Sequence, residues 1–305
     1  MPTFDRTTIV RGPAKITYDT AVFYSKGGVT LRMVNTTFDK ETDAYGVVGK
    51  SKTDFQVVVE FEPVGEIEEL AKLYPYGSTA IGAAIYGASD KALTITAADA
   101  TYTINNAAIT QLPSIRLTAN NTAFGPIQFT GLLDIGGDPA NLSDYYAVAG
   151  GSSIGTGFDP SKLITAPYTA TLGFGTPLAF MSEAGFEVAF DLSLAPVVVD
   201  GIGTVSMTLQ NLGATITCIP TGIPENSFDA GFNTLSAGED LANLSLDIST
   251  ATSGGLNFDC AAVNIIDLEK RFSPADNRLG TLTLAARRTF AAGVPAALFT
   301  VAAVS

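Results

Sequence analysis

The stretch FYSKGGVTLRMVNTTFDKETDAYGVVGKSKTDFQVVVEFEPVG, Phe23–Gly65, returns without a gap as FMSEAGFEVAFDLSLAPVVVDGIGTVSMTLQNLGATITCIPTG, Phe180–Gly222, 157 residues further on. Eight of the 43 positions are identical, and four of those pairs are Gly or Pro: Gly28/Gly185, Gly46/Gly203, Pro63/Pro220 and Gly65/Gly222. Such residues set turns, because their backbones are unusually free or unusually fixed. Apolar character agrees at Leu31/Val188, Met33/Phe190, Phe55/Leu212 and Val59/Ile216. Further on, Ala107–Ile109 matches Ala261–Val263 at a shift of 154, and Phe124–Gly125 matches Leu279–Gly280 at 155. Small loop changes absorb that drift. A regular internal period is the signature of a duplicated structural unit. The chain therefore reads as two tandem copies of one β domain, residues 1–155 and 156–305.

Each copy is expected to carry a long hairpin. Phe55, Val57, Val59 and Phe61 alternate with Gln56, Val58, Glu60 and Glu62, so one face is buried and the other mostly polar. Fully extended, Val47–Glu62 spans about 50 Å, longer than a compact domain requires. The tips fall near Asp39–Gly46 in the first copy and Pro196–Gly203 in the second. Residues Asp39, Glu41, Asp43, Tyr45 and Gly46, with Val197, Val198, Val199, Asp200 and Gly203, are the candidate assembly contacts. An uncovered Val-Val-Val run costs roughly 25 cal/mol for each Å² of apolar surface, so another subunit is the expected cover; packing within its own domain is the alternative.

Outside the repeat the pattern is also β. Short runs rich in Thr, Val, Ile and Phe are punctuated by Gly, Pro, Asn and Asp. Strands are expected at 14–18, 29–38, 55–61, 92–96, 114–118, 125–132, 186–194, 205–209, 214–219 and 280–285. One helix is expected over Glu66–Tyr74, with Ile67, Leu70, Ala71 and Tyr74 on one face, lying across the open side of a sheet. Glu66, Glu68 and Glu69 favour its N-terminal end, and Pro75 stops it. The run Ile135–Gly157, rich in Gly, Ser, Asp and Ala, reads as a surface loop or linker, 135–155 falling within the first domain.

Composition narrows the function. The 305 residues are 46% hydrophobic, carry 30 acidic against 17 basic side chains, and have a net charge of −13. Only 15% are charged, against an average of about 25%. Surfaces this poor in charge point to self-association, since homo-oligomer interfaces are more apolar than ordinary surface. There is no His and no Trp, which removes the commonest general base and the commonest metal ligand. Cys218 and Cys260 read as buried free thiols. The first eleven residues lack the apolar run of a signal peptide, and no stretch approaches the ~18 apolar residues of a spanning helix.

The opening RGPAKITYDTAVFYSKGG, the Tyr45-Gly46 tip and Phe61-Glu62-Pro63-Val64-Gly65 resemble the major tail tube proteins of long-tailed bacteriophages. Tyr74-Pro75-Tyr76 and NNAAITQLPSIRL leading to Phe124-Gly125 extend the likeness over most of the first copy and, more faintly, the second. The resemblance implies two tandem sandwich or barrel domains, each with a flanking helix. Six such domains would form a ring, three chains per ring in the fused variant, and stacked rings would conduct DNA during ejection. The implied partners are further copies of the chain and the tape measure, terminator and tail tip proteins. The implied place is the virion tail, after synthesis in the host cytoplasm, with no cofactor and no membrane anchor. Two departures stand out: the 135–157 run, and Pro224 where the second copy would need a helix. A DNA conduit should not bind DNA, and an anionic wall avoids the phosphate contacts that Lys and Arg make. Glu60 and Glu62, opposite Phe61, are candidates for the lumen or for ordinary solvated surface.

No enzymatic signature survives inspection. Gly151-Ser152-Ser153-Ile154-Gly155 fits the nucleophile-elbow spacing but has no His to serve it. Gly201-Ile202-Gly203 lacks the third glycine of a dinucleotide site. Asp134, Asp138 and Asp144 match no calcium loop. Carboxylate-pair glycosidase chemistry is compatible with the composition, but no pair is singled out. A tube protein, a β-sandwich adhesin or receptor-binding protein, and a glycan hydrolase remain as classes; the first is the expectation, and not an enzyme.

Overall fold

The computed structural model describes residues 14–86, 91–97, 100–119, 121–150, 167–174, 176–221, 244–273, 276–291 and 294–304. It is almost entirely antiparallel β. The first half contributes β1 (Lys15–Tyr18), β2 (Ala21–Thr42), β3 (Gly46–Val64), α1 (Ile67–Ala71), β4 (Leu93–Thr96), β5 (Ala100–Ile104) and β6 (Asn106–Gln111). It continues with β7 (Ile115–Thr118), β8 (Asn121–Phe124), β9 (Ile127–Leu132) and β10 (Tyr146–Gly150). The second half contributes β11 (Thr169–Leu172), β12 (Leu178–Val199), β13 (Gly203–Thr221), β14 (Leu244–Ser249), β15 (Leu256–Ser273) and β16 (Asp276–Ala286). A two-residue ribbon, β17 (Phe290–Ala291) with β18 (Val294–Pro295), precedes β19 (Thr300–Ala303).

The pairings of the second half close on themselves. β11 pairs β12, β12 pairs β13, β13 pairs β16, β16 pairs β15, β15 pairs β14, and β14 returns to β11. Those six strands make a barrel, which leaves no open edge within the ring. The first half repeats the circuit as β1–β2–β3–β9–β6 and β5–β4–β1. Here β5 and β6, separated by Asn105 alone, take the place of the single strand β15.

Alternation fills the barrels. Phe55, Val57, Val59 and Phe61 are buried, as the period-2 pattern requires. Phe61 stacks on Phe129, whose ring meets Tyr18 edge-on at 4.9 Å. The second half has an aromatic group of its own, Phe190, Phe258 and Phe299. Val58, on the outer face of β3, is also buried.

The two long hairpins are the same object. The strand bounds run from 21 to 178, 42 to 199, 46 to 203 and 64 to 221, each 157 residues on. Their registers agree pair by pair: Val29↔Phe61 corresponds to Phe186↔Cys218, and Thr36↔Asp54 to Ser193↔Asn211. The irregularities after Thr36 and after Lys40 recur after Ser193 and Val197. A third irregularity falls at Gly27–Gly28 and Ala184–Gly185, where Gly28 and Gly185 both have positive φ.

Three expectations change. The helix keeps only Ile67–Ala71; i→i+3 bonds from Leu73 and Tyr74 tighten its end into a narrower turn, as helix termini commonly do. It does not cover an open sheet. α1 packs on β2 and on β19, at the junction of the two barrels, where Tyr74 lies 5.1 Å from Phe190. Secondly, the run from Ile135 is not all loop. Tyr146–Gly150 is β10, paired along β5 as β19 pairs along β15. Thirdly, the later repeat shift is 156 rather than 154. Ala107 opposes Gly131, and Val263 opposes Ala286, the residue at the Gly131 position of β16. Ala107 thus corresponds to Val263, two residues beyond Ala261. The β9 to β16 shift is 155, as Phe124–Gly125 implied.

The halves also exchange structure. The β7–β8 hairpin, from the first half of the sequence, adds to β12 of the second barrel through Ile115–Leu117. The boundary at 155/156 and Pro224 lie outside the described residues.

Candidate assembly surfaces

Pairing continues to Thr42↔Gly46 and Val199↔Gly203, so the turns themselves are Asp43–Tyr45 and Asp200–Ile202. Asp39, Glu41 and Val197–Val199 are therefore strand residues in the last rungs of the ladders. The Tyr45 N–H closes the first turn on the Thr42 carbonyl, and the Ile202 N–H closes the second on Val199. Gly46 has φ +66 and Gly203 φ +97. In both hairpins the residue that follows the turn and re-enters the ladder is left-handed, which costs glycine little. That need explains why the repeat keeps Gly at both positions.

Equivalent in register, the two tips differ in surroundings. The second rests on β3 of the first barrel. The Asp54 carboxylate accepts from the Thr204 N–H (2.9 Å) and the Thr204 hydroxyl (2.8 Å), and the Gln56 amide reaches the same hydroxyl. Thr204 is only 4% exposed. The segment Gly82–Ile85 then runs beside β13, exchanging backbone bonds with Met207 and Leu209. Among the described residues the first tip has no such cover. Tyr45 is 84% exposed and Phe38 66%, with Met33, Val34, Val47 and Val48 also open. On the second hairpin Val198 is 64% exposed, flanked by Val197 and Val199. Asp39 pairs with Lys50 at 3.1 Å across the first ladder.

Glu60 and Glu62 lie on the outer face of β3, half-buried, along a groove lined by Lys26, Val29, Thr30 and Pro126. Glu62 pairs with Lys26 at 3.7 Å. The equivalent positions on the second barrel are Thr217 and Ile219. An acidic lining from these positions would thus recur once per chain, not once per barrel. Sequence reasoning missed Asp54, Thr204 and the Gly82–Ile85 segment. The only signal was Gly203 itself, because a bare backbone also permits close approach.

Elsewhere the polar groups serve structure. Asp138 accepts from the Ala140 N–H and Asp144 from the Asp138 N–H, so these carboxylates cap a loop. No cluster able to hold a metal occurs among the described residues. Tyr18, Tyr74, Tyr76 and Tyr86 each donate a hydroxyl to a buried backbone carbonyl. Burial pushes all four hydroxyls up, away from acid–base use near neutrality. Cys218 and Cys260 are buried free thiols, each pushed up to about 12 chiefly by burial. The Gly151–Gly155 motif lies outside the described residues. Among those described, no helix is long and apolar enough to cross a membrane. No protein-family model and no curated protein matches the chain.

Proposed function

We propose that this chain is a structural protein that polymerises into the tail tube of a long-tailed bacteriophage. The observation that carries the reading is the duplicated barrel with two arms, one of which leaves a band of apolar side chains in solvent. Monomeric proteins rarely expose contiguous apolar surface without a partner for it. Two barrels per chain suit a six-barrel ring of three chains. Stacking would cover the arm ends, at Tyr45 on one and Val197–Val199 on the other. The net charge of −13 keeps DNA passing rather than bound. In this role the chain is a virion component acting without catalysis or cofactor, meeting copies of itself, the tape measure, and the terminator and tail tip proteins. Electron microscopy of the purified protein tests it: rings and stacked tubes are expected. Discrete small oligomers with a saturable ligand would sink it in favour of an adhesin.

A further inference from the structure

The first half of the chain inserts a strand beside the second, and the second half possesses the same strand with no barrel beside it among the described residues. β7 lies antiparallel to β12, with Phe186 opposite Leu117, Glu187 opposite Arg116 and Val188 opposite Ile115. The β7–β8 hairpin is the link between β6 and β9. In the second barrel the corresponding link is the outer end of β15–β16. There Lys270↔Leu279 through Ser273↔Asp276 repeats Ile115↔Phe124 through Thr118↔Asn121. Among the described residues, Arg271–Ser273 has one strand partner, β16.

The receiving edge is duplicated too. Phe186, Glu187 and Val188 of β12 correspond to Val29, Thr30 and Leu31 of β2. On β12 this edge is filled, and Phe186 and Val188 are fully buried. Among the described residues the same three residues of β2 pair only with β3, Val29 and Leu31 are half-exposed, and Thr30 is open. The glycines beside the edges report the difference directly. A Cβ on Gly185 would collide with the Leu117 carbonyl, whereas one on Gly28 would meet nothing within 4 Å. A groove lined by Lys26–Thr30 borders this edge.

We infer that copies of this chain join head to tail by strand addition: Lys270–Phe272 of one copy pairs antiparallel with Leu31–Val29 of the next. Thr30 then lies opposite Arg271, as Glu187 lies opposite Arg116 within the chain. The same relation brings the next copy's first hairpin tip onto Asn211, the counterpart of Asp54. Val47, at the Thr204 position, supplies the backbone donor but no hydroxyl. Strand addition of this kind satisfies a row of edge backbone groups that would otherwise face water. Because each junction uses two different surfaces, repetition gives a closed ring or a helical filament. The inference stands on the internal repeat and does not depend on the tail-tube reading.

Cysteine pairs test the register. Directly opposed antiparallel residues have Cα atoms about 4.5–5.5 Å apart, within disulfide range. R116C/E187C should close inside one chain and serves as the positive control, both side chains being exposed. T30C/R271C should convert most of the protein to disulfide-linked dimers and higher multiples on a non-reducing gel, dispersed by reductant. T30C/I266C, also on exposed positions but out of register, should remain monomeric. T30C/R271C staying monomeric while the control closes would overturn the junction, as would equal ladders from the two T30C pairs. A ladder with no terminal species keeps the junction and removes the closed ring from the proposed function.

Discussion

Gly46 and Gly203 occupy one position in two copies of the same hairpin, which makes their replacement by alanine a controlled comparison. Both have φ in the left-handed region, so each alanine is strained by about 1–2 kcal/mol. At Gly46 nothing lies within 4 Å of the new methyl, and the strain is the whole cost in a single chain. At Gly203 the methyl would sit 2.5 Å from the Asp54 carboxylate oxygen and 3.0 Å from the Thr53 carbonyl. The backbone carbonyl cannot turn aside, so the tip must lift and loosen both Thr204 bonds to Asp54. Hydrogen bonds to a charged group contribute about 1.5–3 kcal/mol each. With water replacing part of that loss, Gly203→Ala should cost roughly 2–3 kcal/mol more than Gly46→Ala. Urea unfolding followed by circular dichroism, in dilute chain below the onset of assembly, measures both. Asp54→Ala should remove most of the excess, because neighbours that share an interaction are not additive. Equal costs for the two alanines, or an excess unchanged in the Asp54→Ala background, would refute the idea that the second tip is docked and the first is not.

Val198→Asp should leave a folded chain by circular dichroism while rings fail to stack in micrographs; normal tubes would remove this arm from assembly, and an unfolded variant would return Val198 to its own barrel. Cys218 and Cys260 should resist a thiol reagent in the native protein and both react in denaturant, since only the thiolate attacks; rapid native labelling would contradict their burial. Asp259 faces Asp247 across the β14–β15 pair and is raised first by burial and then by that charge. A carboxyl raised in the folded state penalises folding when ionised, a penalty absent below the unfolded value and complete above the folded one. Asp259→Asn should therefore raise the urea midpoint at pH 7, with the gain fading as pH falls through the folded value; a gain undiminished at pH 3 would rule out ionisation as its cause.

The repeat was legible because duplication had left its turn glycines and its alternating apolar positions in register, and these are the features that fix a hairpin. Strand pairing beyond the hairpin was less so. β10 was hidden in Tyr146–Gly150, where five residues against the edge of β5 show no alternation of burial, four being exposed. An edge strand is held by backbone bonds to its neighbour, and those leave little trace in side-chain pattern. The Ala-Ala-Ile and Ala-Ala-Val match misled by two residues, an even slip that preserves the inward and outward faces and so looks equally good as a pattern. The docking of the second tip on Asp54 is a contact between residues 150 positions apart, and no local periodicity encodes it.

What remains is the asymmetry between equivalent surfaces, and it bears on what the isolated chain is. Had the two barrels evolved to function as a closed pair, both receiving edges and both tips would be covered within the chain. Instead β12 is filled and β2 is not, Thr204 is docked and Val47 is open, and Gly185 is crowded where Gly28 is bare. Each difference has the same direction: the edge and tip of the second barrel are covered by the first half, and among the described residues the same edge and tip of the first barrel are not. A symmetric dimer would need self-complementary patches, whereas these surfaces complement each other and not themselves. The free ends of a single chain are thus one donor and one acceptor of the same junction. A variant carrying an added charge on the acceptor edge, Leu31→Glu, should accordingly stay folded and dissociate assemblies. The equivalent Val188→Glu, at a site already buried within the chain, should unfold the second barrel. Circular dichroism and sedimentation separate these outcomes, and identical behaviour of the two variants would mean that the two edges do not differ in cover.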